Sequence, residues 1–382
     1  MSKLEELIQQ YCPDGVEWKT LGEATIMKRG TSVTKGIMQE GNIPVISGGR
    51  QPAFYCNVSN RTGEVITVAG SGAGAGYVQY WNEPIFVCDA FSIQGNETLK
   101  TKYVYYILTN IQEKIYSTKK GGGVPHVHIS SIEKFEIPVP PLPVQEEIVR
   151  ILDNFTELQA ELQAELQKRK LQYNYYLENL LNFNRGGYQA EVRWMKLKDI
   201  GKVCMCKRIL KSQTSSSGDI PFFKIGTFGG NADSYISQAL FNEYKAKYSY
   251  PQKGDVLISA AGTIGRTIVF DGTPSYFQDS NIVWLKHDES IVLNSYLRYC
   301  YTLKPWVIST GGTIARLYND NILEATIPVP SLAEQQEIVS ILDRFDRLTT
   351  DLSQGLPAEI EKRRQQYEYY RDKLLTFKRK AA

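Results

Sequence analysis

Three short stretches of this sequence carry residue types that could do chemistry. The glycines of GSGAGA, residues 70–75, have the spacing of a loop that binds a dinucleotide pyrophosphate. His126 and His128 stand two residues apart, which would place both imidazoles on one face of a strand. Asp14 and Glu17 in PDGVEWK are carboxylates of the kind that hold a catalytic metal in nucleases.

The neighbouring residues argue against catalysis at each of these places. A pyrophosphate loop must lead into a helix, whereas YVQYW alternates like a strand after residues 70–75, which favours a turn between two strands. Two histidines with no third ligand nearby make a poor metal site. Asp14 and Glu17 are too close in sequence to come from two neighbouring strands. We therefore predict no catalytic residue, no metal site and no cofactor in this chain.

The composition indicates a folded protein with free thiols and no membrane segment. Hydrophobic residues make up 42% of the 382 residues, and no run of 18 apolar residues or signal peptide occurs. None of the six cysteines has the spacing of a zinc site, so we expect reduced thiols in a cytoplasmic protein. The net charge is +3; residues 17–140 carry 12 basic and 10 acidic side chains, and residues 193–330 carry 16 and 11. The positive surplus of these two blocks suits an anionic partner.

The sequence segments expected to form the framework around these residues occur twice along the chain. IPVPPLPVQEEIVRILDNF, residues 137–155, returns as IPVPSLAEQQEIVSILDRF at 327–345, and 14 of 22 positions are identical between 137–158 and 327–348. ELQKRKLQYNYYLENLLNF (165–183) returns as EIEKRRQQYEYYRDKLLTF (359–377), so the second copy holds four extra residues. The plan is block, helix, block, helix, which indicates duplication of a domain with its connector.

The two helical regions are expected to pair with each other. Apolar residues at steps of three, four and seven after Pro143 predict a helix too long to stand alone, so an antiparallel coiled coil of the two copies is expected. We predict that its seam consists of Ile148, Leu152, Phe155, Leu158, Leu162, Leu166, Tyr173, Leu180, Ile338, Leu342, Phe345, Leu348, Tyr367 and Leu374. Gly355 and Pro357 should break the second helix into segments of roughly 334–352 and 357–377. The amphipathic start, SKLEELIQQY, should form a helix beside the coil.

The two blocks read as mixed domains of strands and helices. NIPVIS, EVITVAG, YVQYW and IFVC are short, β-branched or aromatic, and bounded by turn residues. Residues 103–117 and 294–309 read as one helix in each block. Alignment of the two copies of the sequence places Ala315 and Leu317 opposite His126 and His128. The predicted fold class is α+β, with two mixed α/β domains related by pseudo-twofold symmetry and separated by the coiled coil.

Together these motifs resemble one known family. The duplicated IPVP…EQ.EIV.ILD.F, the KR..QY.YY...LL.F tails and the opening KLEELI…CPDGVEWK.LGE are similar to the specificity subunits of type I restriction–modification systems. The resemblance implies two target-recognition domains that read the halves of a bipartite, asymmetric sequence in double-stranded DNA. It implies that the helices space these domains, and that LQAELQAELQ corresponds to the family's spacer repeat. It also implies partners: two methyltransferase subunits that modify adenine, and motor-endonuclease subunits, with S-adenosylmethionine, ATP and Mg²⁺ bound by those partners.

Placed on this chain, the resemblance predicts six segments: an N-terminal helix (1–16), target-recognition domain 1 (17–143), spacer helix 1 (144–183), a linker (184–192), target-recognition domain 2 (193–333) and spacer helix 2 (334–382), broken near 355–357. Basic, amide and imidazole side chains in the loops of each block are the candidate DNA contacts. In the first block they are Lys28, Arg29, Lys35, Arg50, Lys119, Lys120, His126 and His128. In the second block they are Lys207, Arg208, Lys211, Lys224, Arg266, Asn281 and Arg316.

Two other classes of function stay open from the residues alone. One is a self-contained enzyme that binds a nucleotide or S-adenosylmethionine on the Gly-rich loop 70–76. The other is a coiled-coil assembly factor whose blocks do not bind DNA. Binding of a nucleotide or S-adenosylmethionine by the isolated chain would support the first, and salt-dependent, sequence-selective DNA binding would exclude the second.

Overall fold

The chain folds into two compact units, each with its own hydrophobic core. In the computed structural model, residues 2–33, 39–183, 192–308 and 315–380 are described. The first unit consists of residues 1–164 and 358–382, and the second unit of residues 165–357. The candidate Lys35 and, apart from Val192, the predicted linker lie outside the described residues.

The described residues of the first unit form three small sheets. Its strands are β1 (Glu17–Thr20), β2 (Thr25–Arg29), β3 (Ile43–Ile46), β4 (Phe54–Cys56), β5 (Val65–Ala69), β6 (Val78–Trp81), β7 (Phe86–Val87), β8 (Ala90–Gly95) and β9 (Glu136–Val139). They form an antiparallel sheet in the order β2-β8-β5-β6, a sheet β4-β3-β7 in which β3 and β7 are parallel, and the pair β1-β9. Strand β5 is buried along its whole length, as its continuous apolar sequence requires.

The helices of the first unit cover these sheets. They are α1 (Lys3–Tyr11), α2 (Leu21–Ala24), α3 (Thr101–Asn110), α4 (Gln112–Tyr116), α5 (Ile129–Ile132), the first part of α6 (Leu142–Leu181) and most of α11 (Leu356–Leu374). Tyr103 and Leu108 of α3 are fully buried in the same core as Ile148 and Leu152 of α6. The core therefore joins the strands to the start of the long helix.

The second unit repeats this order of strands. Its strands are β10 (Arg193–Lys196), β11 (Lys202–Cys204), β12 (Ile220–Phe223), β13 (Tyr235–Ile236), β14 (Val256–Ser259), β15 (Thr267–Val269), β16 (Tyr276–Phe277), β17 (Ile282–Lys286) and β18 (Thr326–Val329). Its helices are α7 (Gln238–Lys247), α8 (Asn294–Thr302), α9 (Asn319–Leu323), α10 (Leu332–Thr350) and the second part of α6. The sheets β11-β17-β14-β15, β13-β12-β16 and β10-β18 match those of the first unit, so the predicted class of two mixed α/β domains is confirmed.

The proline-rich IPVP stretch forms a strand and then starts a helix in both units. In the first unit it is β9, which pairs with β1 so that Pro138 lies opposite Trp18. Because proline has no N–H to donate, a two-stranded edge pair of this kind tolerates it. Helix α6 then begins at Leu142 with Pro143 in its first turn, where proline is accepted. In the second unit Ser331 caps α10 instead, in a capping box with Glu334.

The helical regions pair within each unit. In the first unit Phe155 of α6 packs against Tyr367 and Tyr370 of α11, with ring centroids 6.5 and 5.5 Å apart. In the second unit Tyr176 of α6 stacks on Phe345 of α10 at 5.2 Å. The first part of α6 thus pairs with the last helix of the chain, and its second part pairs with the preceding helix. This pairing is that of a coiled coil between the two copies of the repeat.

Most of the predicted seam residues are buried or half-buried, with one clear difference. Leu166 and Leu180 are each 7% exposed, and Leu342 is fully buried. Leu348, by contrast, is 37% exposed, and the next residue, Thr349, is 4% exposed. The buried Thr349 hydroxyl has a partner, because it donates at 2.8 Å to the carbonyl of Phe345, one turn earlier in the helix. At the end of this helix the buried position is therefore residue 349, one residue later than the predicted seam position 348.

The second helical region is interrupted where the four extra residues lie. Helix α10 ends at Thr350 and α11 begins at Leu356, against predicted segments of roughly 334–352 and 357–377. The Asp351 carboxylate accepts hydrogen bonds from the Ser353 and Gln354 amides at 2.7 and 3.1 Å. A Cβ on Gly355 would lie 2.6 Å from the Arg347 carbonyl oxygen, so only glycine fits this tight turn.

The ends of the described chain are held against the first unit. Leu4 of α1 is buried in the core, and Lys3 forms a 2.9 Å ion pair with Glu147 of α6. Near the other end, the Val16 amide donates to the Lys378 carbonyl at 2.9 Å. No helix among the described residues is both long and apolar enough to cross a bilayer.

Candidate nucleic-acid interface

A cleft of ≈ 200 Å³ in the first unit brings together three of the predicted DNA contacts. Its lining includes Arg29, His126 and His128, together with Gly70 and Asp89. The two imidazole rings are parallel, with centroids 6.0 Å apart, and both side chains are exposed on either side of the buried Val127. The prediction that both histidines lie on one face of an extended segment is thus confirmed.

Close backbone contacts hold the walls of this cleft together. The Gly70 carbonyl accepts from the Val127 amide at 3.0 Å, which attaches the histidine segment to the Gly-rich loop. Lys120 and His126 exchange two backbone hydrogen bonds of 2.9 and 2.8 Å. A Cβ on Gly30 would lie 2.0 Å from the Cys88 carbonyl oxygen, so a residue without a side chain is required directly after Arg29.

The other predicted residues of the first unit that the structure describes lie outside the lining of this cleft. Lys28 is exposed on β2, and the Arg50 guanidinium packs over the Tyr77 ring at 4.9 Å. Lys119 lies over Tyr116 at 4.1 Å. These cations are accessible, and stacking on an aromatic ring directs the Arg50 and Lys119 side chains.

A larger cleft of ≈ 500 Å³ in the second unit collects most of the candidates there. Its lining includes five predicted residues: Arg208, Lys211, Lys224, Asn281 and Arg316. Thr214, Ser234 and Gln278 add hydroxyl and amide groups. A cleft lined by guanidinium, ammonium and amide donors has the chemistry that binds phosphates and base edges.

Several of these side chains are already oriented by neighbours in the unit. Arg208 donates through Nε to Asp279 Oδ2 at 2.9 Å, and Arg316 donates to the Ser280 carbonyl at 2.7 Å. Lys224 pairs with Asp233 at 2.8 Å, and this hydrogen bond lowers the pKa of the Asp233 carboxyl. Behind the cleft, burial raises the pKa of the Cys206 thiol to about 12, so that thiol stays protonated.

Two predicted residues of the second unit lie elsewhere. Lys207 is exposed and lies over the Tyr248 ring at 5.1 Å. Arg266 donates to the Gly229 carbonyl at 3.2 Å, in the turn that corresponds to the Gly-rich loop of the first unit. Neither residue contributes to the lining of the 500 Å³ cleft.

The backbone contacts correct the alignment of the two copies at the histidines. Val127 donates its amide to the Gly70 carbonyl, and Leu317 donates in the same way to the Ala260 carbonyl. Val127 therefore corresponds to Leu317, so His126 corresponds to Arg316 and His128 to Tyr318. The expectation of Ala315 and Leu317 at these positions is wrong by one residue, because sequence similarity is too low here to define the register of a short extended segment.

Reasoning from sequence missed the acidic and hydroxyl residues of both clefts. In the first unit the Ser71 hydroxyl donates to the Asp89 carboxylate. In the second unit Asp279 and Ser280 form a turn, and Ser280 has a positive φ of 61°. Asp89 lies just after the two-residue strand β7, and Asp279 lies just after the two-residue strand β16. Prediction from basic residues alone could not identify these two acidic residues.

The Gly-rich loop of the first unit joins two antiparallel strands. Residues 70–77 turn directly from β5 into the antiparallel strand β6, with Val68 opposite Val78. The turn between strands is confirmed, and the helix that a pyrophosphate site needs does not follow this loop. Among the described residues, no group of three His, Cys, Asp or Glu side chains is placed to hold a metal ion.

The fold and the clefts define a class of protein: a tandem of two related α/β recognition units, each packed against its own pair of helical segments. The sequence profile described as "Type I restriction modification DNA specificity domain" matches residues 13–169 and again 190–362. The chain belongs to this family of type I restriction–modification specificity subunits.

Relatives that are named as type I specificity subunits align with nearly the whole chain. A putative type I restriction enzyme specificity subunit of Haemophilus influenzae is 45% identical over 95% of this chain and 96% of its own length. The EcoR124I/EcoR124II type I specificity subunit of Escherichia coli is 31% identical over 99% of this chain and 97% of its own length. A type I system S subunit from M. genitalium has the same fold, with a TM-score of 0.60 at 17% identity over 94% of this chain and 95% of its own length.

Proposed function

We propose that this chain reads a bipartite, asymmetric DNA sequence, one half-site with each unit. The observation that carries the proposal is that one backbone framework holds different side chains at equivalent positions of the two clefts. His126 and His128 of the first unit correspond to Arg316 and Tyr318 of the second. Different donors and acceptors select different base edges, so the two half-sites should differ in sequence.

The chain is proposed to direct chemistry that its partners perform. Family membership as a DNA specificity domain supports this, together with the duplicated architecture. Two methyltransferase subunits would methylate adenine at N6 with S-adenosylmethionine. Motor-endonuclease subunits would use ATP and Mg²⁺ for restriction. This chain would contribute recognition of double-stranded DNA and no catalytic residue.

The balance of charges in the cleft supports recognition of bases in addition to binding of phosphates. Two of the four basic side chains that line the cleft of the second unit are paired with carboxylates, Arg208 with Asp279 and Lys224 with Asp233. Pairing reduces the positive charge available to phosphates and directs the donors that remain. Direct reading of bases depends on such fixed donors.

The function can be tested by sequencing methylated adenines in cells that express the methyltransferase subunits with and without this chain. A two-part motif that vanishes without the chain is expected. Arg316→Ala should relax the base preference in one half of the motif, and His126→Ala should relax it in the other half. Lys247→Ala is the control, because Lys247 lies on the surface helix α7 and forms an ion pair with Glu243 on the same helix.

Two outcomes of this experiment would contradict the proposal. A motif that persists without this chain would show that another protein supplies the specificity. If Arg316→Ala and His126→Ala relax the same half of the motif, or lower methylation at every site equally, the assignment of one half-site to each cleft is wrong.

A further inference from the structure

A carboxylate lies inside the cleft of the second unit among basic side chains. Asp279 accepts from Arg208 Nε at 2.9 Å; its side chain is 15% exposed, whereas that of Arg208 is 68% exposed. A carboxylate repels phosphate, so a cleft that only grips the DNA backbone would gain nothing from it. The contact instead fixes the direction in which the Arg208 guanidinium projects from the cleft wall.

The turn that carries Asp279 is specific to the second unit. The Gly70 amide donates to the Asp89 carbonyl in the first unit, and the Ala260 amide donates to the Asn281 carbonyl in the second. The Cys88 amide donates to the Ile46 carbonyl of β3, and the Gln278 amide donates in the same way to the Phe223 carbonyl of β12. Between these matched points the second unit holds two extra residues, Asp279 and Ser280.

This insertion controls two guanidinium groups at once. The Asp279 carboxylate holds Arg208, and the carbonyl of Ser280 accepts from Arg316 at 2.7 Å. Ser280 has a φ of 61°, a conformation that non-glycine residues rarely adopt, and the Asn281 amide closes the turn on the Asp279 carbonyl at 2.7 Å. Such a turn persists only where the surrounding structure requires it.

The geometry leaves the outer edge of Arg208 available to a ligand. Nε makes the hydrogen bond to Asp279, and among the described residues the terminal Nη nitrogens of Arg208 donate to no hydrogen-bond partner. Two parallel N–H donors on a fixed plane match O6 and N7 of guanine in the major groove. We propose that Asp279 is a positioning residue that holds Arg208 to read a guanine in the half-site of the second unit. This inference rests on the proposed function.

The test uses the full complex of this chain with its methyltransferase subunits and measures methylation across a library of target sequences. The variants are Arg208→Ala, Asp279→Asn, Asp279→Ala and the double variant Arg208→Ala/Asp279→Ala. Each single change should lower discrimination at the same guanine by about tenfold or more. The double variant should be no worse than Arg208→Ala alone, because both residues act through one contact.

Lys211→Ala is the matched control within the same cleft. No ion pair of Lys211 occurs among the described residues, and its side chain is exposed, so it should serve the phosphate backbone. Its loss should weaken methylation of all sequences equally and leave the preferred bases unchanged. The half-site of the first unit is a second, internal control, because a variant that merely damaged folding or assembly would not relax one half-site alone.

Three results would overturn the inference. Unchanged discrimination in both Asp279 variants would show that Arg208 needs no positioning. Relaxation at a different base position, or effects that add in the double variant, would mean that Asp279 itself accepts from a base such as cytosine. Absence of a chain-dependent two-part motif in the unaltered complex would overturn both the inference and the proposed function, whereas the first two results leave the proposed function intact.

Discussion

Gln145 Nε2 donates to the carbonyl oxygen of Pro140 at 2.7 Å, across the turn that joins strand β9 to helix α6. The same amide donates to the Thr98 carbonyl at 2.9 Å, and its oxygen accepts from the Lys100 amide at 2.9 Å. Gln335 repeats these three contacts in the second unit, with Pro330 as the matching partner at 3.0 Å. Both glutamines are fully buried. One side chain thus fixes the turn from strand to helix at the start of each helical region.

Gln145→Leu should lower the free energy of unfolding of the first unit by about 2–3 kcal/mol, because buried backbone groups at Thr98, Lys100 and Pro140 lose their partner. Urea denaturation, followed by hydrogen exchange in the first turns of α6, would measure this loss. Gln163→Leu is the control, since Gln163 is exposed on the same helix and should change stability by less than about 0.5 kcal/mol. Equal effects of the two substitutions would contradict the structural role given to Gln145.

Acid should weaken the attachment of α1 to α6. The hydrogen bond from Arg150, and next that from Lys3, lower the pKa of the Glu147 carboxyl from 4.5 to about 2. A lowered pKa in the folded state means that the stabilisation is complete above about pH 4.5 and is lost as the pH falls towards 2. The difference in urea midpoint between the native chain and Glu147→Gln should therefore be largest near pH 6 and shrink below pH 4.5. A difference that stayed constant to pH 3 would exclude this explanation.

Aromatic packing should account for much of the contact between α6 and α11 in the first unit. Phe155→Ala removes the ring that packs on Tyr367 and Tyr370, and it should cost about 2–3 kcal/mol, less than for a fully buried ring because Phe155 is half-buried. Hydrogen exchange over residues 358–374 should accelerate. Leu171→Ala, at a side chain that is 71% exposed on the same helix, is the control and should leave this exchange unchanged. Unchanged exchange in Phe155→Ala as well would show that other contacts hold α11.

Gly30→Ala should disturb recognition by the first unit alone. A Cβ at this position would lie 2.0 Å from the Cys88 carbonyl oxygen, so β2 and the β7–β8 turn must separate and Arg29 must move. The expected result is a relaxed preference in the half-site of the first unit, with the other half-site intact, as measured by sequencing methylated sites. Gly63→Ala is the comparison, because nothing lies within 4 Å of its Cβ, although its positive φ of 73° adds some strain. Loss of both half-sites would indicate misfolding of the whole chain.

Much of this architecture could be predicted from local patterns in the sequence. The repeated IPVP stretch, the apolar steps of three and four, and the turn at the Gly-rich loop each depend on residues close together in the chain. The interruption of the second helical region is also a local effect, because Gly355 occupies a turn in which a side chain would meet the Arg347 carbonyl. Local periodicity did not predict which residue faces inward at the end of α10. The apolar pattern predicts Leu348, but Leu348 is exposed and the next residue, Thr349, is buried.

The candidate sites depended more on tertiary structure. A search for cations found Arg208 and Arg316, but Asp279 lies 71 residues from Arg208 and gave no local signal of their contact. The correspondence of His126 with Arg316 was likewise hidden, because it is defined by hydrogen bonds to Gly70 and Ala260. Long-range pairing of this kind depends on which strands meet, and strand order is not encoded in the spacing of any one motif.

The duplication, the helical regions, the strand-rich blocks and the family resemblance could therefore be predicted from sequence alone, because repeats and local propensities carry all of them. Three features depend on the folded chain as a whole: which basic residues share a cleft, which aspartates orient them, and which part of α6 pairs with α10 or α11. These features arise when distant segments pack together, and their free energy comes from contacts that no short stretch of sequence contains.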